Sequence, residues 1–529
     1  MSASTKRKER QAAREAGVDK KLLAAQREAE LKAKSRRRWT LGTVAVALLI
    51  AVILFLNSGF LYSNTTALTI GDENYSPAEF GYQYANQYYN LANQYGSYAS
   101  FIGLDTSTGV AGLADQACSM LEEGGTWQDY FMEVTKTAMT QYKAIEDYAA
   151  AEGITLSEEE LAQIDAEVNS IDEFAREQGY SNGDNFLAAN YGEGVNKQLA
   201  REAAVQGLIV NKAAVGYTEA LEYTAEELDA QYESYNGDKD YFDYAYYYVM
   251  SETVEDEEGN YAATEETKAA AKAKAEAVLA AYAALGNEES EDDEETAVKP
   301  EMSVEERLNA ALAEAGIADA SCISTTGQGQ ALGAYAEWMK AQTVAGEATV
   351  VENEAGSGYY VVAFIARNDN DYNLAQVRHI LVKAAADETG AFTDEAKAEA
   401  KAKAEEILAQ WEAGEATEES FAALANELSE DGGSNTIGGL YDTVQKGQMV
   451  EEFDAFCFAK HKSGDTGIVY GEVAGSYAGY HVMYYVGEGE NCADYIARTE
   501  LANADSQAWL EELVSGYEAI EKFWIKLAV

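Results

Sequence analysis

The chain has 529 residues, which suggests two to four domains rather than a single core. Its composition is 47% apolar with only two prolines, Pro77 and Pro300, and this favours long helices. The formal net charge is −54. Residues 1–38 carry 13 Lys/Arg and 5 Asp/Glu, a balance of +8, so the remainder carries −62. Such an acidic surface repels phosphates and excludes nucleic acid as a partner.

A basic N-terminal segment is followed by an apolar run. Arg36, Arg37 and Arg38 directly precede residues 41–56, which are almost all apolar. Because positive charge stays on the cytoplasmic side, we expect a cytoplasmic tail at 1–38 and a transmembrane anchor at 39–58. The chain from about residue 60 would then be extracytoplasmic, in the cell envelope. A cleaved signal peptide is the alternative.

Residues 65–235 have a helical pattern after a short strand and turn at 67–80. Ser157 with Glu160, and Thr224 with Glu227, have the spacing of capping boxes that open helices. At the other end of the chain, residues 490–529 repeat apolar side chains at three- and four-residue steps. We therefore predict one C-terminal amphipathic helix that packs on, and completes, the helical region.

An internal repeat divides the middle of the chain. The segment Thr264–Tyr282 matches Thr393–Trp411 without a gap, and similar strands flank both. The strands that precede the helices start near Tyr244 and Val377. Two units are therefore predicted, at 237–369 and 372–489, and the fold class is a multidomain α+β protein. The first unit carries an acidic segment at 286–300, which we expect to be a solvated loop.

Four cysteines are scattered too widely for a metal site, so no metal or other cofactor is expected. They are Cys118, Cys322, Cys457 and Cys492. Buried free thiols are the simplest interpretation. A bridge between Cys457 and Cys492 stays open at this point, because pairing depends on geometry that the sequence does not give.

Two of the three histidines occupy matching strands of the second unit. His379 lies in VRHILV and His481 in GYHVMYYV, with LANELSEDGGSNTIGGL and GQMVEEFDAFCF between them. His461 lies in a polar turn and is expected to be exposed. The order of these blocks resembles the parvulin family of peptidyl-prolyl isomerases, with small antiparallel sheets and surrounding helices. The resemblance covers residues 372–489.

The resemblance implies a set of site residues. The paired histidines of the family correspond to His379 and His481, and the acidic or thiol residue of its active site corresponds to Asp431. The apolar proline pocket corresponds to Leu440, Met449 and Phe453. The sequence departs from the family in one loop. The usual Gly-Gly-Asp-Leu-Gly is replaced by residues 438–442, GGLYD, and the stretch from Leu440 to Met449 is one residue longer.

The first unit lacks these groups. Tyr246 stands at the position of His379, Tyr360 at that of His481, and Tyr335 at that of Phe453. We therefore predict that residues 237–369 have a degenerate parvulin-like fold without activity.

The layout of the whole chain resembles PrsA- and SurA-type foldases of bacterial envelopes. This implies catalysis of X–Pro isomerisation and chaperoning of newly exported polypeptides, which are the expected partners. Isomerisation needs no nucleophile, since it requires only that a twisted amide be held better than a planar one. The alternative is a membrane-anchored holdase that keeps the parvulin fold as a scaffold without enzymatic activity. The sequence does not indicate an oligomeric state.

Overall fold

The computed structural model describes residues 2–15, 32, 34, 43–44, 46–50, 59–255, 260–286, 302–317 and 320–529. Most of the predicted anchor at 39–58 and of the basic tail lies outside these residues, and so does the acidic segment 286–300 apart from Gly286. Within the described part of the chain, no helix has both the length and the apolar character needed to cross a bilayer.

The described helices are α1 Ala3–Glu15, α2 Phe60–Asn64, α3 Pro77–Tyr95, α4 Trp127–Ala151, α5 Glu158–Glu177, α6 Gly183–Tyr191, α7 Lys197–Glu219, α8 Ala225–Ser234, α9 Glu265–Gly286, α10 Val304–Glu314, α11 Ala336–Lys340, α12 Asp394–Ala413, α13 Glu418–Leu428, α14 Glu451–Cys457 and α15 Cys492–Val514. The strands are β1 Leu68–Ile70, β2 Glu73–Tyr75, β3 Tyr241–Met250, β4 Thr253–Glu255, β5 Tyr261–Ala263, β6 Ile323–Gln328, β7 Ala348–Glu352, β8 Gly358–Asn368, β9 Asn373–Lys383, β10 Leu440–Val444, β11 Thr466–Val473, β12 Tyr477–Asn491 and β13 Ala519–Glu521.

The chain forms two compact units: a helical unit of residues 1–221 and 503–529, and a double-sheet unit of residues 222–502. In the helical unit, Ser76 and Glu79 form a capping box that starts α3, with Pro77 in its first turn. The core of this unit is aromatic. It is built around Phe80, Tyr84, Trp127 and Phe131, all of them at most 1% exposed.

The C-terminal segment corrects one sequence prediction. Helix α15 ends at Val514, and the chain then pairs β13 with β1 in a three-stranded sheet of order β13-β1-β2. The prediction of a single helix over residues 490–529 was therefore wrong. Strand β1 is almost fully buried and its backbone needs a second partner, which β13 supplies. Trp509 of α15 does lie in the helical unit, stacked on Tyr217 with ring centroids 4.4 Å apart.

The double-sheet unit contains two four-stranded antiparallel sheets, of order β6-β3-β8-β7 and β10-β9-β12-β11. We call the elements of 237–369 the first repeat and those of 372–489 the second repeat. Each sheet packs on a long helix through four buried residues, and the spacing of these four residues is the same in both helices. These are Ala271, Ala275, Val278 and Tyr282 in α9, and Ala400, Ala404, Ile407 and Trp411 in α12. The multidomain α+β fold predicted from the sequence is confirmed.

All four cysteines are free in the structure, so the possible Cys457–Cys492 bridge is not formed. Cys118, Cys457 and Cys492 are buried. Burial raises the pKa of the Cys457 thiol to about 12. These thiols therefore behave as small core side chains.

The role of the C-terminal return can be tested with a matched pair. Ile525 is 6% exposed in the core of the helical unit, whereas Phe523 is 72% exposed. We expect Ile525→Ala to destabilise this unit by about 2–4 kcal/mol, because the variant leaves a cavity. Phe523→Ala should change stability by less than about 0.5 kcal/mol. Hydrogen exchange of the β1 amides measures both, and equal protection in the two variants would contradict this packing.

Candidate active site

The candidate site is built on the pairing of β9 with β12. In this register His379 lies opposite Met483, and His481 lies opposite Leu381. Side chains two residues apart share a sheet face, so His379 and His481 are diagonal neighbours on one face. Their Nδ1 atoms are 3.0 Å apart, and their rings stack with centroids separated by 5.2 Å. Both side chains are buried.

Asp431 reaches this pair from the loop after α13. The Ser429 hydroxyl, at the C-cap of the helix, accepts hydrogen bonds from the N–H groups of Leu381 and Asp431, at 3.1 and 3.3 Å. The carboxylate of Glu430 accepts the N–H of Lys383 at 2.6 Å. The loop is thus fixed to β9, and Asp431 Oδ2 lies 3.0 Å from His379 Nε2.

Two glycines allow the next part of the loop to approach His379. Gly438 and Gly439 have positive φ angles of 71° and 67°, which favour glycine. The Gly439 carbonyl accepts the His379 N–H at 2.8 Å. A Cβ atom on Gly439 would lie 2.2 Å from the His379 carbonyl oxygen. Any larger residue there would push the loop away from the site.

Three hydroxyl groups complete the hydrogen-bond network, and sequence reasoning missed all of them. Ser434, 1% exposed, donates to Asp431 Oδ2 at 2.5 Å and lies 3.2 Å from His379 Nε2. Tyr441 donates to the same oxygen at 3.2 Å. The Tyr477 hydroxyl lies 3.3 Å from His481 Nε2. Ser434 lies three residues after Asp431, and Tyr477 lies four residues before His481. This closeness to predicted site residues is the only sequence feature that pointed to the two hydroxyl groups.

Two groups of the network have strongly shifted pKa values. The hydrogen bond from His379 holds the pKa of the Asp431 carboxyl well below its usual range, and Ser434 lowers it further, so Asp431 is an acceptor. Burial lowers the pKa of His481 from 6.5 to about 3, and the adjacent His379 adds to this shift. The ionised Asp431 therefore accepts from His379 Nε2–H, and the neutral His481 shares one hydrogen between its Nδ1 and that of His379.

A cluster of apolar side chains adjoins the network, and we call its members Phe453, Met449 and Tyr441 the cup. Phe453, 2% exposed, lies edge-on to His379 and His481, with centroid distances of 5.4 and 5.2 Å. Met449 is partly buried and packs in the same cluster. Phe453 therefore lies against both histidines, and Met449 belongs to the same apolar cluster as Phe453.

The structure places Leu440 outside the cup. Leu440 pairs with Arg378, whose guanidinium faces Glu418 of α13 on the other side of the sheet. Tyr441 pairs with Val377 and lies in the cup, with its ring 5.1 Å from that of His379. Neighbouring residues of a strand face opposite sides of the sheet. A register that differs by one residue therefore places Tyr441 instead of Leu440 in the cup. If Tyr441 rather than Leu440 takes the position of the family's pocket residue, the stretch from that position to Met449 has the same length as in the family pattern.

His461 is not exposed, in contrast to the sequence expectation. Its ring lies between those of Phe456 and Tyr485, with centroid distances of 4.3 and 5.3 Å. Its Nδ1 lies 3.5 Å from Asp465 Oδ2. The polar residues around it suggested solvent, but two aromatic neighbours cover it.

The first repeat has phenol rings at the corresponding positions, with an edge-on rather than a stacked arrangement. Strand β3 pairs Met250 with Gly358, as β9 pairs Lys383 with Gly479. Aligning these pairs places Tyr246 at His379 and Tyr360 at His481, and the two tyrosine rings lie 5.9 Å apart. Tyr335 lies 5.3 Å from Tyr360, as Phe453 lies beside His481.

Within the residues that the structure describes, no group of three or more acidic, histidine or cysteine side chains is suited to a metal ion.

Comparison with known proteins identifies the class of domain. Residues 359–484 match the family model described as PPIC-type PPIASE domain. The match starts in β8 and covers the whole candidate site. The second repeat is therefore a parvulin-type peptidyl-prolyl isomerase domain.

Solved structures similar to the chain include three PrsA proteins. Peptidylprolyl isomerase (PrsA) from Bacillus anthracis is 21% identical, with 28% of this chain and 59% of that chain covered and a TM-score of 0.17. The protein of the same name from Bacillus cereus is 23% identical, with 30% and 57% covered and a TM-score of 0.18. PrsA from Bacillus subtilis is 15% identical, with 75% and 89% covered and a TM-score of 0.27. In the first two cases the alignment spans less than two thirds of the other chain. A search of curated proteins gave no match.

The depressed pKa of His481 predicts acid sensitivity of this domain. His481 takes up a proton below about pH 6.5 in the unfolded chain, but only below about pH 3 in the folded chain. The free energy of unfolding is therefore highest above pH 6.5 and decreases as the pH falls from 6.5 to 3. We expect a loss of about 3 kcal/mol between pH 7 and pH 4. Urea denaturation followed by NMR signals of β12 measures it.

The variant His481→Phe is the control for this effect. It removes the titrating imidazole and should flatten the pH dependence of the free energy of unfolding over the same interval. An unchanged slope in the variant would assign the acid sensitivity to other groups.

Proposed function

We propose that the chain is an extracytoplasmic foldase that catalyses cis–trans isomerisation of X–Pro bonds and chaperones exported polypeptides. The observation that carries the proposal is the hydrogen-bonded line from Tyr477 through His481 and His379 to Asp431, next to the cup of Phe453, Met449 and Tyr441. This arrangement lies in a domain of the parvulin type.

The arrangement suits a reaction that moves no proton. Rotation about an X–Pro bond loses amide resonance, and uncatalysed it takes tens to hundreds of seconds. An apolar cup can hold the proline ring while the carbonyl on the other side of the bond rotates. An ionised carboxylate near that carbonyl disfavours the resonance form with negative charge on oxygen, and so lowers the barrier. The hydrogen bond from His379 holds Asp431 in place.

The helical unit supports the proposed chaperone role. Tyr98 and Phe101 are 67% and 84% exposed, and their rings lie 5.9 Å apart. Exposed aromatic side chains of this size provide contacts for unfolded polypeptides. The basic segment and apolar run at residues 36–56 support attachment to a membrane with the N-terminus in the cytoplasm.

Isomerase activity is tested with the full chain and a short Ala-Pro peptide, by exchange NMR. We expect acceleration by the wild type and a fall in kcat/KM of about 10- to 100-fold in His481→Tyr, which introduces the residue found in the first repeat. Asp431→Asn, which is nearly isosteric, should also lower activity. The matched control is Tyr360→Phe in the first repeat, for which activity should be unchanged.

A non-enzymatic holdase is the second candidate, and the aromatic surface at Tyr98 and Phe101 favours it. Suppression of aggregation of an unfolded client distinguishes the two functions. We expect His481→Tyr to lose isomerase activity and keep aggregation suppression. If the folded wild type suppresses aggregation but does not accelerate isomerisation, the holdase is the correct function.

A further inference from the structure

Tyr441 belongs both to the cup and to the hydrogen-bond network. Its ring is tilted against His379 at 5.1 Å and edge-on to Phe453 at 6.4 Å. Its hydroxyl donates to Asp431 Oδ2 at 3.2 Å. Of the three cup residues Phe453, Met449 and Tyr441, Tyr441 is the one whose side chain also hydrogen-bonds to the network.

Both ends of this side chain are held. The backbone of Tyr441 pairs with Val377 of β9, and the pairing becomes irregular directly after it. An irregularity of this kind determines the direction in which a side chain beside a site points. At the far end, the carboxylate of Asp431 holds the hydroxyl. Burial raises the pKa of Tyr441 to about 12, and the charge of Asp431 adds to the shift, so the phenol stays protonated and keeps donating.

The sequence pattern shows what this residue replaces. Without a gap, Gly438-Gly439-Leu440-Tyr441 matches Gly-Gly-Asp-Leu, so a phenol ring stands where the family pattern has leucine. A leucine could contact a substrate and move away from a larger one. The phenol ring is larger, and it cannot retreat without breaking a hydrogen bond to an ionised carboxylate.

We infer that Tyr441 determines substrate preference, because its fixed ring narrows the cup to a proline preceded by a small side chain. The inference rests on the proposed isomerase function. Polypeptides with alanine or glycine before proline are then the favoured substrates. Those with leucine or phenylalanine there are disfavoured, because the second large side chain must displace the ring.

The experiment measures kcat and KM of the full chain on peptides that differ only in alanine, leucine or phenylalanine before proline. For the wild type we expect kcat/KM to be about tenfold higher for Ala-Pro than for Phe-Pro. Tyr441→Leu should reduce this ratio to about threefold or less, mainly through a lower KM for Phe-Pro. Tyr441→Phe keeps the ring but frees it, so its ratio should be intermediate.

The control is Tyr477→Phe, which removes a hydroxyl from the other end of the network. It should lower activity on all three peptides by the same factor and leave the ratio unchanged. An unchanged ratio in Tyr441→Leu would overturn the inference and leave the isomerase function intact. If Tyr441→Leu does not fold, Tyr441→Phe decides, because a wild-type ratio in that variant would overturn the role of the anchored ring. A wild type inactive on every peptide would overturn the isomerase function itself.

Discussion

The register between β9 and β12 is the constraint on which the candidate site depends. Because side chains alternate between sheet faces, only one parity of pairing places His379 and His481 on the same side. The 3.0 Å contact between their Nδ1 atoms then follows from the diagonal position of the two residues. The loops that carry Asp431 and Gly439 also bind the backbone of β9, so the remaining groups are located relative to the same strand.

The two repeats show which parts of this arrangement belong to the fold and which belong to the site. The strand order, the buried spacing on the long helix and the diagonal pair of rings recur in both. The first repeat fills the pair with Tyr246 and Tyr360 and hydrogen-bonds Tyr335 to Tyr244 at 3.0 Å. Phenol rings therefore satisfy the packing of this fold. The imidazole pair with its carboxylate is not needed for packing, and its presence in the second repeat alone favours a chemical role.

The sequence predicted the parts of the structure that depend on periodicity and motif order. The repeat, the fold class and the residues His379, Asp431, His481, Met449 and Phe453 could be proposed because each lies in a recognisable block. Leu440 was placed in the cup because the changed loop left the strand register open by one residue, and only backbone pairing decides which neighbour faces inward. The C-terminal strand was missed for a related reason. Tyr517, Ile520 and Trp524 keep a helical spacing, but β1 needs a partner that no local pattern reveals.

The charge states in the network argue for electrostatic control of the amide rather than for proton transfer. A general base must titrate near the working pH, but His481 is held neutral by burial and Asp431 is held ionised by its hydrogen bonds from His379 and Ser434. Neither His481 nor Asp431 therefore exchanges a proton at neutral pH. The network does provide a fixed field next to an apolar cup, because its donors are already oriented before a substrate binds. That combination changes the energy of a rotating amide and leaves its covalent bonds intact. It therefore fits an isomerase better than any reaction that cleaves a bond.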